Sequence, residues 1–260
     1  MEGLWLAALS GLIGGGTLLV GATVAWYVDI PQHVVAGIMA VGAGVLISTL
    51  AFELVEEAAE AGGLLPTTVG FLGGAVLYIV ADQLLSRRSR PAQAPTPARD
   101  GTPANIAARR AGTRIAGGAG LVIAVGALID GIPESLVMGL SVLQGGISIP
   151  IVAAIAISNF PEGLGSTAAL KRGGSSGRFV ALLWGGIALI TVVAAVLGYV
   201  AFQSATPNLI ALITTIAAGG LLAMVCNTMI PEAFDEQHAL TGLWATIGFL
   251  AAFLLHELAG

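Results

Sequence analysis

Charge is what this sequence has least of. Asp, Glu, Lys and Arg make up 10% of its 260 residues, where a soluble domain of that length carries roughly a quarter. So little charge excludes a water-facing surface over most of the chain. Cysteine is almost absent too: Cys226 alone excludes an intramolecular disulfide and a cysteine metal cluster, and it reads as a small apolar filler. The start, Met1-Glu2-Gly3, lacks the positive region of a cleavable signal peptide, so the first apolar run is expected to stay in the chain. A net charge of −5 gives no sign of a nucleic-acid partner.

What the chain does have is apolar length. Mean hydropathy is +0.93 and 56% of residues are hydrophobic. A helix needs about 20 mostly apolar residues to cross a bilayer. Eight such runs lie near 4–28, 33–57, 66–86, 116–141, 148–170, 178–202, 207–233 and 240–258. They are continuously apolar and too long for β-barrel strands, which alternate over roughly ten residues. The 37 glycines spread through these runs suit membrane helices that pack backbone to backbone. The expected fold is an all-α integral membrane protein of eight transmembrane helices, one transmembrane domain over 1–260.

The ten Lys and Arg fall in two connections. Arg87, Arg88, Arg90, Arg99, Arg109, Arg110 and Arg114 follow the third run, and Lys171, Arg172 and Arg178 flank the turn between the fifth and sixth. With eight spans both connections share one side, which the positive-inside rule makes cytoplasmic. Both termini then face outward, in a multi-pass protein of the cytoplasmic (plasma) membrane. Residues 87–115, with the Pro-rich core Arg90-Pro-Ala-Gln-Ala-Pro-Thr-Pro, are expected to be a disordered cytoplasmic loop. An acidic echo links Glu57 and Glu60 in helix 2 with Glu232 and Asp235 in helix 7. It suggests an inverted repeat, helices 1–3 against 6–8 with 4–5 between, the 3+2+3 arrangement.

Two motifs stand at mid-span. Helix 4 carries Asp130-Gly131-Ile132-Pro133-Glu134-Ser135, and helix 5 carries Ser158-Asn159-Phe160-Pro161-Glu162-Gly163. Asp130 and Glu134 are four apart, as are Ser158 and Glu162, so each pair shares a helix face. Each proline removes an amide donor and frees the carbonyl four residues earlier, at Ile129 and Ile157. Carboxylates beside freed carbonyls make an electronegative pocket of the kind transporters place near the midplane. An Asp at mid-helix costs roughly 2.5–3.5 kcal/mol to insert, and no span contains an interior Lys or Arg to offset it. Asp130, Glu134 and Glu162 must therefore stay protonated, reach water or bind an external cation. The competing reading is a helix pair whose protonated acids bond across their interface.

Secondary candidates are Glu53 and Glu232, each of which can equally be solvated at a membrane face. Glu56, Glu57, Glu60, Asp235 and Glu236 read as wet acidic rims that gather cations, and Asp29 and Asp82 as ordinary span-end residues. His33 and His238, at the turns 1–2 and 7–8, are exit-ligand candidates that more simply read as solvated turn histidines. His256 falls under the same reading near the C-terminus.

These residues resemble the ZIP family of divalent-metal transporters, whose signature is His-Asn-x-Pro-Glu-Gly. Residues 158–163 match all but its first position, and 130–135 keep the Pro-Glu. The Pro231-Glu232-Ala233 stretch of helix 7 is also similar to the family's. The resemblance implies eight helices, outward termini, a long cytoplasmic loop after helix 3 and a metal site between helices 4 and 5. It would place Asp130, Glu134, Ser158 and Glu162 in that site, with Asn159 beside it. Asp130 and Ser158 stand where the family has histidines, Gly131 replaces an asparagine, and helix 6 offers no acid for a second metal position. The implied ligands are all oxygens. Zinc sites usually include nitrogen or sulfur, so harder ions such as manganese, iron(II) or magnesium become candidates beside zinc and cadmium. The expectation is transport of a divalent metal ion, with no resident cofactor, no enzymatic activity, and the bilayer and a second copy of the chain as partners. The alternatives are a proton-linked carrier of another solute, using the same acids as a relay, and a family member that binds metal without transporting it. An intramembrane hydrolase fits least, since no Ser/His or Cys/His pair stands at mid-span.

Overall fold

The structure is a computed structural model that describes residues 2–88 and 119–259, with side chains for 2–84 and 126–258. The expected loop over 87–115, with Arg90, Arg99, Arg109, Arg110 and Arg114, lies almost wholly outside the described residues; Arg87 and Arg88 end the third helix. Among the described residues the chain is helical and without strands. Its helices are α1 (Glu2–Tyr27), α2 (Gln32–Gly62), α3 (Leu64–Arg88), α4 (Ala119–Gln144), α5 (Ile149–Arg172), α6 (Gly177–Ala201), α7 (Pro207–Gln237) and α8 (Leu240–Ala259). All eight are long and apolar enough to cross a membrane, and the chain is a multi-pass membrane protein.

Local chemistry sets the helix ends. Ser148, Ser176 and Thr206 cap α5, α6 and α7 by accepting from the amides of Ile151, Phe179 and Leu209, satisfying donors that a first turn leaves open. Pro150 and Pro207 sit in first turns, where no amide is missed. Only Gly63 separates α2 from α3, at φ +84, a conformation that glycine adopts without a Cβ penalty. The ends differ from expectation by up to about a turn: α2 runs on to Gly62 and α7 to Gln237.

The irregularities fall elsewhere than the prolines suggest. Pro133 and Pro161 lie inside α4 and α5, and both helices continue through them. The α-helical pattern instead widens into π-helical turns at Leu50–Glu56 in α2 and Val225–Met229 in α7.

Packing divides the helices into two groups. In one, α1 lies on α5 and α6, and α4 on α6; in the other, α3 lies on α7, and α8 and α7 both lie on α2. The groups meet where α2 packs on α5 and α4 on α7. Lipid is as apolar as a leucine side chain, so close backbone approach has to supply much of the attraction. Glycines allow it at four reciprocal contacts. A Cβ on Gly21 would stand 2.2 Å from the Phe160 carbonyl oxygen, and one on Gly163 2.3 Å from that of Leu18. The α4–α6 contact repeats this with Gly198 against Leu136 and Gly139 against Ala195. Gly44 meets Ala245 while Gly248 meets Val41, and Gly219 meets Phe71 while Gly74 meets Ile216.

One end of the bundle is tied by Lys171 to Asp29 at 2.9 Å and by the Gln237 amide to the His33 carbonyl. The other end is tied by the Glu53 carboxylate, which bonds His256 and Ser148.

Candidate functional site

The two motif helices are antiparallel neighbours, so residues equally far from the turn 144–149 stand at one level. Glu134 lies ten residues before Gln144 and Ser158 nine after Ile149; Asp130 and Glu162 are each one turn deeper. The sequence brings the two pairs to one depth.

Glu134 is the centre of the site. It is 1% exposed, and its carboxylate oxygens lie outside good hydrogen-bond geometry to any donor, the Asn159 amide included. Glu162 and Asp130 act on it electrostatically, and the Asn159 amide stands beside it. Both acids are half-buried. Burying a carboxylate without a partner is among the most expensive arrangements a protein can hold. Its neighbours here are further acids.

Asn159 is buried, and its Nδ2 donates to the Gly14 carbonyl at 3.1 Å. That bond fastens the amide to α1 and fixes which way its oxygen turns. Ser158 is also buried; its hydroxyl donates to Ile155 O at 3.0 Å, leaving its lone pairs free to accept or ligate. Ser135 donates likewise to Gly131 O at 2.6 Å. Gly42 of α2 packs against the Ser158 backbone and walls this level of the site. Gly163, the last motif residue, lets α5 lie against α1 at Leu18. This is the backbone-to-backbone packing expected of glycines in these spans.

The secondary candidates lie elsewhere. Glu53 is buried in the π-helical part of α2, so the solvated reading does not hold for it. Its Oε1 bonds His256 Nδ1 at 2.6 Å and its Oε2 accepts from Ser148 Oγ at 3.1 Å. Ser148 lies ten residues before Ser158, about 15 Å along the helix, so Glu53 stands apart from the helix 4–5 acids. His256, expected to be solvated, is paired, and its ring stacks on Phe52 at 5.7 Å. Glu232 is half-buried in the last turns of α7. His33 and His238 are both exposed at the opposite end of the bundle from Glu53, and His238 closes α7 at φ 48 with its ring edge-on to Phe234. Cys226 is exposed on α7 and fills no core position.

Among the described residues, no three His, Cys, Asp or Glu side chains converge closely enough to hold a metal ion together. Asp130, Glu134 and Glu162 act on one another electrostatically without forming such a group. No family model and no curated protein matches the chain.

Proposed function

We propose that this protein carries a divalent metal cation across a membrane, in the manner of the ZIP transporters its motifs resemble, through the acids between α4 and α5. The observation that carries the reading is Glu134: a wholly buried carboxylate set among further acids, with the Asn159 amide as a polar neighbour and, among the described residues, no cationic one. Lys and Arg are confined to span ends and connections, so a cation bound from outside the chain would supply the balancing charge. Asp130, Glu134 and Glu162 are the proposed ligands, with Ser158 and Asn159 oxygens completing the shell. The set is all oxygen and favours manganese or iron(II) over zinc. Small side-chain rotations would have to draw the acids together around the ion.

We read the fold as the inverted 3+2+3 arrangement. The reciprocal glycine contacts support it: one sequence offset relates Val41 to Ile216 and Gly44 to Gly219, and another relates Leu18 to Ala195 and Gly21 to Gly198. The π-helical turns begin at Leu50 and Val225, related by the same offset as Gly44 and Gly219. The positive-inside rule supports placing the Lys171 end in the cytoplasm and both termini outside.

Protein reconstituted in liposomes is expected to take up manganese, iron(II), zinc or cadmium, and the pair Glu134→Ala with Glu162→Ala to abolish uptake. Uptake that survives both substitutions would contradict the proposal. A second reading, a proton relay serving another solute, is favoured by one observation: the acids do not gather into a metal-holding group. It is distinguished by proton flux that tracks a solute in the absence of metal and is lost with the same two substitutions.

A further inference from the structure

Glu134, Ser158 and Asn159 are 1–3% exposed. If a cation reaches Glu134 at this level, as proposed above and on which this inference rests, some helix contact must part to admit it. The contact on the α5 side is with α2, where Gly42 lies against Ser158. Between these helices the Glu53 side chain spans both helix groups at the end where α5 begins. Glu53 comes from α2, and its two oxygens reach in different directions, to Ser148 at the start of α5 and to His256 of α8.

We infer that Glu53 is a latch: its bonds to Ser148 and His256 hold the start of α5 against α2 and α8, and they must break for the helix 4–5 acids to open toward that face.

The chemistry of each partner fits that role. Ser148 works twice, since its oxygen caps α5 by accepting from Ile151 N at 3.3 Å while its hydroxyl proton goes to Glu53. The latch is therefore fastened to the helix terminus itself, and moving α5 moves the bond. His256 holds the other oxygen at 2.6 Å, and stacking on Phe52, with Phe253 5.3 Å from the same Phe52 ring, fixes its plane. A carboxylate that is nine-tenths buried needs both donors. Glu56 and Glu257 also act on His256, and Glu57 acts with the Glu53–His256 pair. With the histidine removed, Glu53 would face only like charge and Ser148. Glu53 lies within the π-helical turn Leu50–Glu56, an irregularity that is frequent at functional sites.

The test uses the full chain in liposomes, with Cys226→Ser and spin labels on Ile149→Cys and Leu258→Cys, both exposed in the wild type. The distance between the labels is read without added metal. Ser148→Asp keeps a capping oxygen and sets a second carboxylate against Glu53. Ser148→Asn also caps, and its amide can still donate. A latch predicts that Ser148→Asp shifts the population at least about tenfold toward the longer distance, while Ser148→Asn stays as the wild type. It also predicts that His256→Ala opens the pair and His256→Gln, which restores a donor, closes it. Equal behaviour of the Asp and Asn variants would reduce Ser148 to a cap and overturn the inference, as would unchanged distances in Ser148→Asp and His256→Ala. If Glu53→Ala fails to fold, the Ser148 pair still decides. Manganese uptake is measured separately on the unlabelled wild type, so failure of the transport reading shows there and failure of the latch shows in the distances.

Discussion

Glu134 is the residue on which the proposed function turns, and its burial makes a separable prediction. Glu134→Gln keeps the shape and removes a charge that has no partner. Stability should hold or rise, because a neutral amide is cheaper to bury than a carboxylate, while cation uptake is lost. Thermal unfolding in detergent and liposome uptake measure the two effects; a large fall in Tm would show that the carboxylate has a partner after all. Asn159→Ala should cost about 1–3 kcal/mol by removing the buried bond to Gly14, besides weakening cation affinity, and equilibrium unfolding checks the first part. At this scale the placing of the acids inside the spans was legible. Four-residue spacing and the lack of interior Lys or Arg pick out Asp130, Glu134 and Glu162 without coordinates. Glu53 and His256 were not legible as a pair: they lie 203 residues apart, and each alone reads as a solvated span-end group.

Among the elements, glycine positions decide how closely helices approach. Gly163→Ala should destabilise by about 1–3 kcal/mol, since the new methyl meets backbone, which has no rotamer to yield; its Cβ would stand 2.3 Å from Leu18 O. Gly16→Ala is the control. Nothing lies within 4 Å of its Cβ position, so it should be neutral or gain up to about 1 kcal/mol of helix propensity. Denaturation of both variants checks the contrast, and equal effects would contradict the packing described. The eight helices were readable because each apolar run exceeds the bilayer requirement. The π turns were not, because Leu50–Glu56 and Val225–Met229 carry no residue that demands them, whereas Pro133 and Pro161 lie within helices that continue through them.

At the scale of the whole molecule, the two ends of the bundle carry different chemistry: Lys171, Asp29, His33 and His238 at one, Glu53, Ser148 and His256 at the other. In a Cys226→Ser background, an impermeant thiol reagent applied to intact cells should label Gln203→Cys, in the turn between α6 and α7, and leave Gly173→Cys, between α5 and α6, unlabelled. The reverse pattern would invert the proposed orientation. The most direct test of metal carriage is anomalous scattering from a crystal of the protein soaked in manganese. The expected result is a peak between α4 and α5, with Glu134 and at least one of Asp130 and Glu162 at about 2.0–2.2 Å. The contradicting result is no peak there at millimolar metal, with the two helices otherwise well ordered.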